Sequence, residues 1–227
     1  MLNDTIVKIN FGSKAVQIPY EQVAIIVLTI LYTVGIIGIS IPVHPDFVML
    51  TPINLLVSLL LILLFHDNWD RGSLIFIVFC YVLGFGAEVF GVQTGILFGD
   101  YTYGKVLGPK VLATPLMIGV NWVLLAYSSG IVINHLLPEK TNRFLKAFLA
   151  TGLMLLLDVL IEPVAIKLDF WTWTGRDTPP LHNFIGWGIV AFIVLSIFMY
   201  FLPKRKNKVA IALLALQFIF FLSLNLL

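Results

Sequence analysis

Apolar residues run almost without interruption through most of the chain, and short polar, proline and glycine stretches separate one run from the next. Each run is about 20 residues long, the length at which an α-helix crosses a hydrocarbon core of about 30 Å. When the sequence is divided at these polar, proline and glycine stretches, it predicts helices near residues 21–42, 47–65, 73–92, 112–136, 144–165, 183–202 and 209–226. The pattern therefore predicts an all-α integral membrane protein with about seven transmembrane helices.

Composition supports this fold class. Of the 227 residues, 59% are hydrophobic and 11% are charged, and the mean hydropathy is +1.00. Such values lie outside the range of soluble globular domains. No linker or fixed-period repeat divides the chain, so we expect residues 1–227 to form a single polytopic membrane domain. The single cysteine, Cys80, lies within a predicted span and is interpreted as core packing.

The distribution of basic residues predicts the orientation in the cell membrane. With seven spans, the N-terminus and the loops after the second, fourth and sixth helices lie on one side. That side carries ten of the 14 basic residues, namely Lys8, Lys14, Arg71, Lys140, Arg143, Lys146, Lys204, Arg205, Lys206 and Lys208. The positive-inside rule then places the N-terminus in the cytoplasm and the C-terminus outside. The net charge of +2 arises in loops that are expected to face lipid headgroups, so it does not indicate nucleic-acid binding.

The two longest loops on the opposite side, about residues 93–111 and 166–181, differ from the short charged turns. They contain GVQTGILFGDYTYGKVLGPK and KLDFWTWTGRDTPP, which are rich in glycine, tyrosine and tryptophan. Long loops in compact proteins are usually functional or disordered, and aromatic density argues against disorder. These loops are therefore predicted to be aromatic and glycine-rich functional loops on the outer side.

Three carboxyl groups lie within the apolar spans: Glu88, Asp158 and Glu162. A charge at the centre of a membrane helix costs about 2.5–3.5 kcal/mol on insertion scales, so each is a functional-site hypothesis. Asp158 and Glu162 are four residues apart and share a helix face. The third and fifth helices run in the same direction, so Glu88 lies at a similar depth and the three groups can converge. Pro163 is expected to kink or end the fifth helix.

A carboxyl group that stays protonated at neutral pH can act as a general acid. We expect this of at least one of the three, with Asp158, Glu162 and Glu88 as the candidate catalytic residues. Hydrogen bonding between helices, without chemistry, is the alternative role. Aromatic faces beside such an acid would attract a carbocation, and asparagine would orient water, although both residue types also serve as interfacial anchors or interhelical contacts. The candidate substrate-binding residues are Thr94, Tyr101, Tyr103, Asn121, Trp122, Trp171, Trp173, Asn183 and Trp187.

Four separated segments carry a more specific resemblance. In order, EVFGVQTGILFGDYTYG, LGPKVLATPLMIGVNWVLLAY, DVLIEPVAIKLDFWTWTG and HNFIGWG resemble the membrane carotenoid 1,2-hydratase family over about residues 45–200. The resemblance implies addition of water to the terminal 1,2 double bond of an acyclic (ψ) carotenoid end group, without a cofactor or metal. It implies lycopene, γ-carotene or a C50 precursor as the lipophilic substrate, with water as the second reactant. Membrane lipid and neighbouring carotenoid enzymes are the expected surroundings.

The residues and the resemblance together suggest one mechanism. Asp158 or Glu162 protonates the alkene, aromatic faces stabilise the tertiary cation, and a water positioned by Glu88 or the remaining carboxylate captures it. A membrane lycopene cyclase shares the protonation step and is the principal alternative. A small proton-coupled transporter would also keep intramembrane carboxyls, but no internal repeat accompanies them. A prenyltransferase would need a second acidic motif, and a retinal protein would need a lysine in the seventh helix.

Overall fold

Seven helices occupy the predicted spans in a computed structural model that describes residues 6–11, 14–41, 44 and 46–227. All seven are long and apolar enough to cross a membrane, with mean hydropathies of 1.8 to 2.5 over their best windows. The all-α, multi-pass membrane fold is thus confirmed. The helices are α1 Tyr20–Ser40, α2 Thr51–Leu64, α3 Arg71–Thr94, α4 Leu116–Leu136, α5 Arg143–Lys167, α6 Leu181–Phe201 and α7 Lys208–Leu226.

Short strands form three two-stranded antiparallel sheets among the described residues. One sheet lies ahead of α1, one lies ahead of α4, and the third joins two loops that are far apart in the sequence. The pairs are β1 Ile6–Phe11 with β2 Lys14–Pro19, β4 Lys110–Val111 with β5 Thr114–Pro115, and β3 Tyr101–Tyr103 with β6 Trp171–Trp173. The sequence analysis predicted none of these strands. The four strands β3 to β6 have only two or three residues and are too short to show periodicity, and β1 and β2, of six residues each, were missed.

The helix boundaries differ from the prediction at a few points. The second span starts with a 3₁₀ turn, Phe47–Leu50, before α2, and α4 begins at Leu116 rather than 112. The predicted end of the first helix at residue 42 lies outside the described residues. Of the two outcomes expected at Pro163, a kink or an end of the helix, the end is wrong, since α5 continues to Lys167. A proline removes only one backbone donor, and within a membrane the remaining backbone groups are best satisfied by continuing the helix.

The helix α4 lies at the centre of the bundle. Of its most apolar window, 78% is buried inside the protein, compared with 11% for the window over α2. It packs against α2, α3, α5, α6 and α7. The outer helices instead expose large apolar side chains such as Ile30, Ile53 and Val78, as lipid-facing helices do. The central helix is therefore largely shielded from lipid.

The side of the protein that carries the loops 65–70, 137–142 and 202–207 is here called the basic side. Several helices that begin on this side have a polar N-cap residue. The side chain of Asp70 accepts from the Ser73 amide ahead of α3, and Asn142 and Asn207 cap α5 and α7 in the same way. Each cap satisfies amide groups that have no partner within the helix. The opposite side carries the loops 95–115 and 168–180, here called the aromatic loops.

A directed chain of hydrogen bonds ties the basic side together around His66. Ser73 Oγ donates to Asp70 Oδ1 at 2.8 Å, so its oxygen accepts from His66 Nε2, also at 2.8 Å. The other ring nitrogen, Nδ1, then accepts from the Tyr127 hydroxyl at 2.7 Å. Burial, reinforced by the Arg205 charge and opposed by the charges of Asp67 and Asp70, lowers the pKa of His66 to about 4. His66 is therefore neutral at physiological pH.

Candidate active site

The sheet of β3 and β6 brings the two aromatic loops together. Its register pairs Tyr101 with Trp173, Thr102 with Thr172 and Tyr103 with Trp171. Alternate residues of a strand point to the same face, so the four aromatic side chains lie on one face and the two threonines on the other. Thr102 and Thr172 are exposed, while the aromatic face turns inward over the carboxyl groups of α3 and α5. YTY and WTW are therefore two halves of one cover.

The β3 strand binds Glu88. The hydroxyl groups of Tyr101 and Tyr103 donate to Glu88 Oε2 at 2.6 and 2.7 Å, and Trp122 Nε1 of α4 donates to Oε1 at 3.1 Å. Only 2% of Glu88 is exposed. Burial, followed by the charge of Glu88, raises the pKa of both tyrosines, so the phenols stay protonated and remain donors. Glu88 is held as a hydrogen-bond acceptor.

The β6 strand binds Glu162 in the same manner. The indole nitrogens of Trp171 and Trp173 both donate to Glu162 Oε2 at 3.1 Å. Asn183 Nδ2, at the start of α6, donates to the other oxygen, Oε1, at 3.2 Å. An indole N–H can only donate, so Oε2 of Glu162 cannot carry a proton toward either tryptophan. Glu162 therefore also acts as an acceptor with three donors.

Asp158 differs from both glutamates. It is 1% exposed, and its Oδ2 atom is buried without a hydrogen-bond partner among the described residues. The ion pairs found among those residues do not include Glu88, Asp158 or Glu162. Glu162 lies one turn further along the same helix. A buried carboxyl without donors is far less costly as the neutral acid than as the anion.

Two tryptophans of α4 and α6 form the next layer of the site. The rings of Trp122 and Trp187 stack at 4.3 Å with an angle of 23° between their planes. Trp122 lies directly on α3 at Gly84, where a Cβ atom would come within 2.3 Å of Trp122 Cγ. The lack of a side chain at Gly84 therefore permits the approach that brings the indole nitrogen to Glu88, one turn further along α3.

An apolar cavity of about 240 Å³ lies beside the carboxyl groups, between α1, α2, α4, α5 and α7. On the α5 wall it is lined by Ile161, Val164 and Leu168, and Trp171 and Asn121 complete the adjoining wall. Asp158 does not line it but lies one turn before Ile161. At 100° per residue, this position is on the flank of α5 between the cavity and Glu162. Glu162 is linked to the cavity wall through its hydrogen bond from Trp171.

The structure thus brings most of the predicted site residues together. Glu88, Asp158 and Glu162 lie under the aromatic cover with Tyr101, Tyr103, Trp171 and Trp173, and Asn183, Trp122 and Trp187 are their neighbours. Asn121 lines the cavity. Thr94 is set apart, because its exposed hydroxyl donates to the Phe90 carbonyl within α3. The roles of all these residues remain predictions.

Three cavity residues escaped the sequence analysis: Tyr32, Asn54 and Gln217. Polar side chains within an apolar run were the available signal, but Tyr32 and Gln217 stand on spans outside the recognised motifs. In the part of the chain that the structure describes, no group of three His, Cys, Asp or Glu side chains is arranged to hold a metal ion.

Comparison with known proteins places this architecture in a class. The carotenoid biosynthesis protein family matches residues 47–227, and the chain belongs to that family. A curated relative, the bisanhydrobacterioruberin hydratase of Haloarcula japonica, is 26% identical over 133 residues. The matched region covers 57% of this chain and 45% of the relative, so the chain matches less than half of that protein's length. No solved structure matches.

Proposed function

We propose that the protein is a carotenoid 1,2-hydratase, which adds water across the terminal double bond of an acyclic carotenoid end group. The observation that carries the proposal is the buried Asp158 carboxyl, whose Oδ2 atom has no hydrogen-bond partner among the described residues. Asp158 lies on α5 about one turn before both the cavity-lining Ile161 and the hydrogen-bonded Glu162. The family and its hydratase relative support the same chemistry.

Asp158 is the proposed general acid. Glu88 and Glu162 each accept three hydrogen bonds, which offset part of the cost of burying a charge. No hydrogen bond to the Asp158 carboxyl is found among the described residues, so a charge buried there lacks this compensation and the neutral acid is favoured. The acid proton is transferred to C2 of the alkene, which leaves Asp158 as a carboxylate and C1 as a tertiary cation. The carotenoid, which enters through the cavity, reaches this acid past Ile161.

The cation and the water are handled by different groups. The ring face of Trp171, which lines the cavity, stabilises the positive charge without forming a bond to it. Asn121 on the cavity wall holds the water, whose oxygen bonds to C1. The extra proton of the water then passes to the Asp158 carboxylate, which restores the acid. The net change is the addition of one water, and no redox partner is required.

The same proposal covers the surroundings of the enzyme. The basic side lies on the cytoplasmic face of the cell membrane, because positively charged loops are retained in the cytoplasm. Substrate arrives laterally from the lipid, and neighbouring carotenoid enzymes supply and consume it. Lycopene, γ-carotene and C50 precursors are the candidate substrates.

A membrane lycopene cyclase is the second candidate, and the apolar lining of the cavity favours it. In that reaction an internal alkene, rather than water, captures the cation. Bacteria that accumulate lycopene and express this chain in water enriched in ¹⁸O distinguish the two. A hydratase gives a tertiary alcohol that carries ¹⁸O, whereas a cyclase gives an isomer of unchanged mass.

The result that would overturn the proposal is the recovery of unaltered lycopene, γ-carotene and C50 precursor from cells in which the protein is shown to be inserted. An empty-vector strain controls for background hydration. A strain that expresses Asp158→Asn controls for effects of the inserted protein on the pigment pool.

A further inference from the structure

The apolar cavity contains a polar patch on the wall made by α1, α2 and α7. The patch consists of Tyr32, Asn54 and Gln217, one residue from each helix, and is here called the Gln217 patch. It is separate from Asn121 and Trp171, which line the cavity next to the carboxyl groups. The remaining lining of this wall is mostly aliphatic or aromatic, including Leu31, Ile53 and Phe220, and the hydroxyl of its Thr51 donates to the Val48 carbonyl.

Gln217 has an unused acceptor. It is 3% exposed, and its Oε1 atom is buried with no hydrogen-bond partner among the described residues. Asn54 uses its Oδ1 atom to accept from Ser58 Oγ at 3.1 Å, which leaves its amide N–H groups available. The Tyr32 phenol is buried beside Ser58 and Gln217. The patch therefore offers one acceptor together with neighbouring donors.

An unpaired amide in an apolar cavity is unfavourable for the folded protein. A buried polar group without a partner loses its hydration and gains nothing in return, and a leucine of similar size would avoid this loss. A ligand that brings a donor to Gln217 Oε1 recovers this loss. An O–H group fits best, because it donates to Gln217 while its oxygen accepts from Asn54 or Tyr32.

We propose that the Gln217 patch is a binding subsite for an O–H group inside the carotenoid cavity. Two sources offer this chemistry: a hydroxyl group on the carotenoid itself, or one water molecule held against the chain. This inference rests on the proposed function, because it assumes that the chain binds carotenoids, but it concerns binding rather than hydration. In the first case the enzyme selects end groups that already carry a hydroxyl.

Binding is measured with the Asp158→Asn protein in lipid nanodiscs, so that no turnover occurs. The probes are lycopene and 1-hydroxylycopene, and the readout is the shift in carotenoid absorption during titration. Gln217→Leu is the test variant. Gln93→Leu is the matched control, because Gln93 is an exposed glutamine outside the cavity that donates to the Leu112 carbonyl.

If the ligand hydroxyl is bound, the hydroxylated probe binds about tenfold more tightly than lycopene, and Gln217→Leu removes this preference without weakening lycopene binding. If a water is bound, Gln217→Leu weakens the binding of both probes to the same extent. The proposal is wrong if Gln217→Leu leaves both affinities at the values of the Gln93→Leu control. Because no product is required, a failure of hydration would not alter these outcomes.

Thermal unfolding without ligand provides a check on folding. Gln217→Leu removes an unpaired buried amide, so its unfolding temperature should rise above that of the parent protein. Tyr32→Phe keeps the ring and removes the hydroxyl, and it should reduce the hydroxyl preference more weakly. If the Gln217→Leu protein does not fold, Gln217→Met takes its place in the binding test, because the methionine side chain is unbranched and flexible and can fill the same space.

Discussion

Tyr101 and Trp173 are partners across the β3–β6 sheet, yet they donate to different carboxyl groups, Glu88 on α3 and Glu162 on α5. Their rings lie 5.1 Å apart. One small sheet therefore fixes the positions of two helices relative to each other. It also supplies the donors that separate the two glutamates from Asp158 in chemical character.

Replacing Asp158 by asparagine should abolish hydration while leaving the protein inserted. Asparagine keeps the shape of the side chain but has no acidic proton, and general acid catalysis typically contributes about 10²–10⁴-fold. Pigment extraction from lycopene-accumulating cells, normalised to the amount of inserted protein, measures the loss. Asp177→Asn, an exposed change in the aromatic loop that follows α5, should retain full turnover. Turnover of Asp158→Asn at the wild-type level would contradict the assignment.

The hydroxyl groups of Tyr101 and Tyr103 should matter for stability as well as for activity. Each donates to a buried carboxyl group, and such bonds contribute about 1.5–3 kcal/mol. The double change to phenylalanine leaves Glu88 with only the Trp122 donor and should lower the unfolding temperature in detergent. Thr102→Val lies on the exposed face of the same strand and should have little effect. Equal unfolding temperatures for the two variants would show that these hydrogen bonds do not support the fold.

A single methyl group on α3 should test whether Trp122 must approach that helix. Gly84→Ala places a Cβ atom 2.3 Å from Trp122 Cγ, and such overpacking costs about 1–3 kcal/mol. The indole should move away from Glu88, with loss of both stability and turnover. Gly86→Ala is the control, because nothing lies within 4 Å of its added methyl group. Alanine there should be neutral or slightly stabilising, since glycine is a poor helix former. Similar losses in both variants would exclude the proposed contact.

The stability of the basic side should depend on pH through His66. Its pKa is about 4 in the folded protein and 6.5 when unperturbed, so the unfolded chain binds the proton more readily. The contribution of neutral His66 is complete above about pH 6.5 and declines as the pH falls toward 4. Unfolding temperatures measured at pH 7.5 and 4.5 should therefore differ more for the wild type than for His66→Gln. An identical difference in the two proteins would contradict this role.

The sequence predicted the spans and the carboxyl groups for simple physical reasons. Uninterrupted apolar runs have few other structures available in lipid, and Glu88, Asp158 and Glu162 stand out because charge is costly there. The convergence of α3 and α5 followed from their shared direction. Pro163 was misleading, because the helix tolerates one missing donor on its exposed face.

The remaining features depend on contacts between distant segments. The pairing of YTY with WTW joins strands of three residues that lie far apart in the chain, and no local pattern encodes such a register. The sequence likewise does not reveal that Asp158 Oδ2 lacks a hydrogen-bond partner among the described residues, since this depends on which donors bind the two glutamates. Tyr32 and Gln217 are far apart in the sequence, and they line the same cavity because α1 and α7 both form its wall.

The β3–β6 sheet also orders the biosynthesis of the site. During synthesis α3, with Glu88, enters the membrane long before Trp171 and Trp173 have been made. The Tyr101–Tyr103 strand must wait for its partner until α5 has been inserted behind it. The aromatic cover therefore closes late, and a chain that stalls before residue 173 carries an open carboxyl cleft. Quality control of the nascent protein would meet the site in that unfinished form.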